Sequence, residues 1–159
     1  MAEYLMGIDA GTGSVRVALF DFRGQNRAYA VAEYGTTYPK NGWAEQSDYE
    51  WFEALKKAIP ECIKKAGIAA DNIAAITCDA TTNTLVYLDE NDTSVRPPIL
   101  WMDVRATEEA SFIDTIREEY DATKFYKPGF RADTMVPKCM WVKKNEPENW
   151  AKTKTIMEF

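Results

Sequence analysis

The sequence predicts a mixed α/β fold in which an antiparallel β-meander comes first and helices alternating with strands follow. Near the N-terminus, short stretches alternate apolar with polar residues and are separated by glycine-containing turns, which indicates strands. Further along, apolar residues at helical spacing alternate with short apolar runs. The chain has 159 residues, 46% of them hydrophobic and 13% aromatic, which is enough for one domain with a packed core.

Three short strands are predicted at the start of the chain. A turn of small residues at 10–14 and a second turn at 21–24, which ends in Gly24, separate them. The predicted strands are Tyr4–Asp9, Val15–Phe20 and Arg27–Tyr34. They form the antiparallel meander, and residues 35–47, which include Pro39 and Gly42, are expected to be extended and irregular.

A helix is predicted from Asp48, as its N-cap, to about Ala66. Its apolar face is predicted to consist of Trp51, Leu55, Ile59 and Ile63. Pro60 lies inside this stretch and predicts a kink or a break, because proline lacks the N–H that an interior helical residue donates. Gly67 is expected to end the helix.

The second half of the chain is predicted to alternate strands with helices. Strands are predicted over Ile73–Asp79, Leu85–Asp89, Ile99–Trp101 and from Thr155 to Phe159, and helices over Val104–Tyr120 and Pro137–Lys144. Asp103 is a candidate N-cap of the first of these helices, and Pro137 suits the first turn of the second. The stretch Tyr126–Val136 is expected to be a loop. Because the last strand stops abruptly, the chain is expected to be a fragment.

Composition excludes several classes of function. The net charge is −6, with 25 acids against 19 dispersed bases, which argues against a nucleic-acid-binding protein. The chain contains no histidine, so Ser-His-Asp, Cys-His and histidine-ligated zinc chemistry are not available to it. Cys62, Cys78 and Cys139 are widely spaced and are expected to be reduced, with Cys78 in the core. Without a long apolar run or a basic leader, a cytoplasmic protein with no membrane contact is expected.

The segment Gly7–Arg16 reads GIDAGTGSVR and is the strongest local indication of chemistry. The hairpin turn within it has two glycines, Gly11 and Gly13, and two hydroxyls, which would let backbone N–H groups approach an anion such as phosphate. Asp9 at the strand end would suit a Mg²⁺ ion, and Arg16 a phosphate oxygen. Turn chemistry alone also fits a plain glycine-rich hairpin in which Asp9 only caps the turn.

Two further segments carry polar groups suited to a polyol. Asp79–Thr84 is a run of small polar residues at a strand end, and Trp101 with Asp103 and Arg105 would stack on and clamp a sugar. Each has a structural alternative: an ordinary strand-to-strand turn for the first, and an N-cap beside a core tryptophan for the second. Trp43 is interpreted as a packing anchor.

Taken in order, four segments resemble the FGGY carbohydrate kinases, a family of the actin/Hsp70-like superfamily that includes glycerol kinase, xylulokinase and ribulokinase. The likeness covers essentially the whole chain. The segments are Gly7–Arg16 with Leu19-Phe20-Asp21, the G-W-x-E-Q stretch Gly42–Gln46 followed by Trp51, the segment Pro98–Arg105 with its W-x-D-x-R, and the P-K-x-x-W helix Pro137–Trp141. Hsp70-like ATPases also open with a G-I-D-x-G-T hairpin, so that segment alone is weak evidence. Four segments in the same order are strong evidence for a resemblance to the carbohydrate kinases.

The resemblance implies an actin-like, ribonuclease H-like ATPase fold and roles for particular residues. Asp9 would lie near the Mg²⁺ and the transferred phosphoryl group. The nucleotide phosphates of ATP would face Thr12, Gly13, Ser14 and Arg16. The sugar site would include Thr82, Asn83, Trp101, Asp103 and Arg105. Residues 1–159 would form the N-terminal, sugar- and phosphate-binding part of the first kinase domain, with the C-terminal lobe and the general-base Asp outside this chain.

The expected activity is ATP-dependent phosphorylation of a small sugar by the full-length enzyme, with a homodimer considered for that form. Thr82 and Asn83 replace the Arg-Glu pair of glycerol kinase and the Met-His pair of xylulokinase, and Asp79-Ala80-Thr81 resembles ribulokinase. A ketopentose such as ribulose or xylulose is therefore the expected substrate, and residues 1–159 alone are expected to be inactive. The alternatives are an Hsp70- or actin-like ATPase and a stand-alone polyol-binding domain.

Overall fold

A computed structural model describes residues 3–116, 119 and 129–159. The chain divides into two compact units. The first unit comprises Met1–Gly35 and Ser47–Thr81, and the second unit comprises Thr36–Gln46 and Thr82–Phe159. Each unit has its own small sheet.

The sheet of the first unit confirms the predicted meander. Its strands are β1 (Tyr4–Ala10), β2 (Ser14–Asp21), β3 (Asn26–Glu33) and β4 (Ile73–Ala80), in the order β3-β2-β1-β4. The first three run antiparallel, while β4 lies parallel to β1. A parallel pair needs a crossover connection, which the long helix between β3 and β4 supplies.

The long helix α1 (Asp48–Ala66) packs against β2 and β3. Its buried side chains are Trp51, Ala54, Ala58 and Cys62. On one face of the sheet, Met6, Val15, Val17 and Leu19 are almost completely buried. Because side chains alternate along a strand, Asp9 and Arg16 point to the opposite face. The first unit therefore has one packed face and one face that carries polar side chains.

Three predicted features of α1 need correction. Ser47 is the N-cap residue, so Asp48 is the first helical residue and not the cap. The helix continues through Pro60, so the predicted break is wrong. Trp51 is buried as predicted, but the other buried residues, Ala54, Ala58 and Cys62, each lie one position before the predicted ones. Gly67, with φ of 66°, ends the helix as expected, its N–H donating to the carbonyls of Ile63 and Lys64.

The prediction that Cys78 is a core residue is wrong for the described chain. A short 3-10 turn, Ala70–Asn72, leads into β4, and Cys78 on that strand is exposed. β4 is an edge strand of the sheet in the described residues, so its apolar side chains are not buried. Cys62 is buried, Cys139 is partly buried, and all three thiols are free.

The second unit pairs β5 (Leu85–Leu88) with β6 (Thr155–Glu158) in antiparallel fashion. Its helices are α2 (Thr107–Ile116), α3 (Met135–Asn145) and α4 (Pro147–Lys152), with α3 packed against both α2 and α4. The core is formed by Leu85, Tyr87, Ile99 and Val142. The strand predicted at Ile99–Trp101 is wrong, because Ile99 makes only isolated bridges, with Glu45 and with Leu85.

The predicted helix Val104–Tyr120 begins later than expected. The helix starts at Thr107, and the Asp103 carboxylate bonds to other groups, so Asp103 is not its N-cap. The predicted end at Tyr120 lies outside the described residues, as do residues 126–128 of the predicted loop. Pro137 lies in the first turn of α3, as predicted, and α4 was not predicted. Within the described ranges, no helix combines the length and apolar character needed to cross a bilayer.

Candidate functional site

The hairpin between β1 and β2 is held by backbone bonds and by Tyr34. The N–H of Gly11 donates to the carbonyl of Ser14 over 3.0 Å, which closes the turn. The Tyr34 hydroxyl donates to the carbonyl of Gly11, and the Tyr34 N–H donates to that of Gly13 over 3.2 Å. Partial burial raises the pKa of Tyr34 to about 12, so the hydroxyl keeps its proton at neutral pH. Tyr34, which directly follows β3, thus fixes the conformation of the turn. The sequence did not indicate this role.

Asp9 and Arg16 lie opposite each other across this hairpin and form an ion pair. Nη1 of Arg16 donates to Oδ2 of Asp9 over 2.7 Å, and both side chains remain nearly half exposed. The hydrogen bond to Asp9 raises the pKa of Arg16. A Cβ on Gly11 would lie 2.8 Å from Nη1, so any larger residue there would make the guanidinium shift. The predicted anion-binding residues of the turn, Thr12, Gly13 and Ser14, sit beside this pair, with Gly13 exposed and Ser14 buried.

Asp79 lies beside Asp9, because β1 and β4 are parallel and these two residues are in register. Both carboxylates line a cleft of about 370 Å³ in the first unit. The cleft is also lined by Arg16, Ala18, Tyr29 and Thr77. Sequence reasoning noted that both strands end at an Asp but did not place the two together. The rule that parallel strands present their carboxyl ends at one edge of a sheet would have found the pair.

The donors at this edge fit Mg²⁺ bound together with a nucleotide. Among the described residues, no group of three or more acidic, Cys or His side chains could enclose a metal ion. Mg²⁺ usually keeps several waters and uses one or two carboxylates plus substrate phosphates, so Asp9 with its neighbour Asp79 is sufficient. The assignment of Mg²⁺ to Asp9 stays a prediction, and Asp79 was not part of it.

In the second unit, the turn of Thr82 and Asn83 precedes β5. Thr82 is exposed, and Asn83 has a φ of 58°, a left-handed conformation that Asn tolerates better than most residues. The N–H of Asn83 donates to Oε1 of Glu158 over 3.0 Å. This bond anchors the turn to β6. The turn keeps polar side chains at the surface, as a sugar contact would require.

Trp101 lies in the segment before α2 and has a 42% exposed side chain. Its backbone N–H donates to Oγ1 of Thr84 over 3.2 Å. The ring lines a groove of about 300 Å³ that also includes the Arg131–Asp133 ion pair. Sequence reasoning did not single out this pair, which lies in a stretch expected to be an ordinary loop.

Asp103 and Arg105 are buried, and this changes how they can act. Oδ2 of Asp103 accepts the N–H of Ala44 over 2.6 Å and Nη2 of Arg105 over 2.7 Å, while Oδ1 accepts Nε of Arg105. The exposed fraction of both side chains is zero. Direct contact with a sugar, expected from the sequence, therefore needs a rearrangement that would break this network. The network ties Asp103 and Arg105 to each other and to the backbone of Ala44.

The motif residues from distant parts of the sequence meet around Arg105. Its guanidinium lies 4.0 Å from the ring centroid of Trp43 and 5.0 Å from that of Trp141, and the two rings pack edge to face. Nη2 also contacts Glu45 over 2.8 Å, and Glu45 pairs with Arg96. Trp43 is a packing anchor, in agreement with its interpretation from sequence.

Comparisons with known proteins agree with this architecture. The model of the FGGY family of carbohydrate kinases, N-terminal domain, matches residues 4–159. A xylulose kinase of Lactococcus lactis subsp. lactis (strain IL1403) is 33% identical over 154 residues, which is 97% of this chain and 30% of that protein. A glycerol kinase of Oleidesulfovibrio alaskensis is 31% identical over 156 residues, covering 96% of this chain and 31% of that protein.

A solved structure, described as a xyloylose kinase from Brucella ovis, superposes with a TM-score of 0.84 at 26% identity. The match covers 98% of this chain and 31% of that one, so this chain spans about a third of the length of the proteins that it matches. The predicted actin-like fold class is thereby confirmed. The chain belongs to the FGGY family of carbohydrate kinases and corresponds to the family's N-terminal domain.

Proposed function

We propose that the full-length protein transfers the γ-phosphoryl group of ATP to a hydroxyl of a small sugar. The observation that carries the proposal is the β1–β2 hairpin, where Asp9 and Arg16 form an exposed ion pair over a glycine turn in a chain of this family. Phosphoryl transfer depends on positioning and on neutralising the phosphate charges, and this hairpin provides groups for both.

Each of the hairpin residues would have its own role at the phosphates. Arg16 would leave or share its bond to Asp9 and donate to a phosphate oxygen, since a guanidinium bonds well to phosphate. The backbone of Thr12 and Gly13, with Ser14, would approach the nucleotide phosphates. Asp9, with Asp79 as its neighbour, would hold Mg²⁺, which neutralises phosphate charge when bound.

The sugar would be held by the second unit. Trp101 would pack a ring face against the carbon skeleton, and the polar side chains of Thr82 and Asn83 would bond to hydroxyls. Asp103 and Arg105 would hold the Trp101 segment in place through their buried hydrogen bonds. The group that takes the hydroxyl proton would lie outside residues 1–159, as would the lobe that binds adenine.

A ketopentose such as ribulose or xylulose is the proposed substrate. The relatives include proteins named xylulose kinase and glycerol kinase, so membership of the family leaves the sugar open. The polar run Asp79–Thr84 differs from the glycerol kinase pattern at Thr82 and Asn83 and resembles ribulokinase at Asp79-Ala80-Thr81.

A coupled ADP-release assay on the full-length gene product tests the proposal. Parallel wells contain D-ribulose, L-ribulose, D-xylulose, L-xylulose, glycerol or no sugar. We expect turnover that depends on one ketopentose. Turnover with glycerol alone would overturn the substrate assignment, and equal ATP hydrolysis in every well would move the protein to the ATPase class.

A further inference from the structure

Lys138 on α3 is a fully buried lysine, with no exposed surface in the described structure. Lysine is rarely buried, because removing an ammonium group from water is costly unless its donors are satisfied. Burial lowers the pKa of Lys138 to about 8. A side chain of this kind needs specific partners.

Its partners are two backbone carbonyls from different segments. Nζ donates to the carbonyl of Asn83 over 2.7 Å and to the carbonyl of Leu100 over 2.7 Å. Asn83 lies in the turn before β5, and Leu100 directly precedes Trp101. A single ammonium group thus joins the two segments that the proposed function assigns to the sugar.

Other bonds hold the same two segments side by side. Leu85 and Ile99 exchange both of their backbone hydrogen bonds, at 2.9 and 3.0 Å. The Trp101 N–H donates to Thr84, and the Asn83 N–H is bound by Glu158. These bonds fix the strand-like parts of the segments. Lys138 binds the carbonyls of Asn83 and Leu100, which are next to Thr82 and Trp101 in the sequence.

We propose that Lys138 is a positioning residue of the sugar site, which sets the Thr82–Asn83 turn and the Trp101 segment at the spacing that a sugar needs. The proposal rests on the proposed function for the identity of the ligand. The geometry it rests on lies entirely within the second unit. Lys138 itself touches no ligand and acts through the two carbonyls.

Steady-state kinetics of the full-length protein with Lys138→Met test the proposal. Methionine fills a similar volume but cannot donate, so both carbonyls lose their charge-assisted bonds. We expect the KM for the sugar to rise about tenfold or more, the equivalent of losing one such bond. The KM for ATP should stay within about twofold, because the hairpin is untouched. Lys143→Met on the same helix, an exposed lysine, is the matched control.

Backbone hydrogen exchange gives a second readout that needs no activity. In the ligand-free protein, Lys138→Met should speed exchange about tenfold in the segments 82–85 and 99–103, and leave residues 4–21 unchanged. If the wild-type protein phosphorylates no sugar, the proposed function fails while this experiment still decides the role of Lys138. Unchanged exchange in both segments, or equal rises in both KM values, would overturn the proposal.

If the methionine variant does not yield folded protein, Lys138→Gln serves in its place. The shorter amide keeps a donor and reaches one carbonyl more easily than two. A smaller rise in the sugar KM with faster exchange in one segment is expected. Exchange like that of the wild type in both segments would contradict the proposal.

Discussion

Two aspartate–arginine pairs with the same shortest N–O distance show how burial decides what a residue can do. Asp9 and Arg16 are joined over 2.7 Å, with both side chains nearly half exposed, whereas Asp103 and Arg105 are joined over 2.7 Å with neither exposed. An exposed pair is screened by water and exchanges partners readily. A buried pair is hard to open, because separating it leaves an uncompensated charge in the interior. The first pair suits ligand binding and the second suits support.

Asp9→Asn tests the role of the hairpin carboxylate. The substitution keeps the size of the side chain but removes the charge that would hold Mg²⁺. We expect kcat of the full-length protein to fall by about a hundredfold or more, as when a group that stabilises transition-state charge is lost. Sugar binding, measured by calorimetry, should be largely spared. Asp71→Asn removes an exposed carboxylate elsewhere in the first unit and is the control. Near-normal turnover of Asp9→Asn would remove Asp9 from the phosphate site.

Trp101→Ala separates stacking on the sugar from packing. The exposed ring lines a groove, so its loss should raise the KM for the sugar about tenfold while the KM for ATP changes much less. Tyr38→Ala removes another exposed aromatic side chain of the second unit and should change neither value. Equal effects of Trp101→Ala on both substrates would mean that the tryptophan is mainly structural.

The lowered pKa of Lys138 predicts a pH-dependent contribution to stability. Burial lowers this pKa to about 8, against the opposing influence of Asp103, Asp133 and Glu158, while Arg105 lowers it further. The unfolded chain therefore binds the proton more tightly than the folded chain. The stabilising contribution of Lys138 is fully present above the unfolded pKa of about 10.4 and is lost as the pH falls through about 8.

Urea unfolding of the wild type and Lys138→Met at several pH values measures this effect. The wild type should gain about 2 kcal/mol relative to the variant between about pH 8 and about pH 10. Charges common to both proteins cancel in the difference. A constant difference across this range would show that Lys138 titrates at its ordinary pKa.

At the level of elements, periodicity predicted β1, β2 and β3, because each has one buried face and one more exposed face. It failed where a side chain has a long-range partner. Asp103 has the sequence position of an N-cap, yet its carboxylate accepts the N–H of Ala44, so α2 begins later. Ile99 bridges two different segments and forms no strand. No local pattern reveals such partners.

The uninterrupted passage of α1 through Pro60 leads to a stability prediction. Pro60 is exposed and lacks the N–H that would bond to the carbonyl of Lys56. An interior proline costs about 3 kcal/mol relative to alanine, and the added freedom of the unfolded chain offsets part of that gain. Pro60→Ala should therefore raise the free energy of unfolding by about 2 kcal/mol, measured by urea denaturation. Lys57→Ala is the exposed control on the same helix; no stabilisation by Pro60→Ala would mean that α1 already relieves the strain.

Across the whole chain, the segments that resemble the family predicted the fold and the location of the hairpin. They did not predict which residues are exposed. Trp43 and Glu45 of the G-W-x-E-Q stretch contact Arg105 of the W-x-D-x-R segment, so part of the resemblance lies in packing around a buried residue. The Asp9–Asp79 pair follows only once β1 and β4 are known to be parallel neighbours, and the burial of Lys138 shows in no local pattern.

The extent of the match also leads to a prediction. The chain covers about 30% of its relatives' length, and closing a site around a phosphoryl group needs groups from both sides. Residues 1–159 expressed alone should release no ADP with any sugar of the panel. Measurable sugar-dependent turnover by these residues would show that the general base lies within them.

The proposed function requires that the γ-phosphoryl group of ATP ends on a sugar. Phosphorus-31 NMR of the full-length protein with Mg²⁺, ATP and each ketopentose follows that group directly. If the full-length protein is a sugar kinase, a new phosphate monoester resonance grows as ATP is consumed with one sugar and is absent without it. Conversion of ATP to ADP and inorganic phosphate alone, at the same rate with and without sugar, would contradict it.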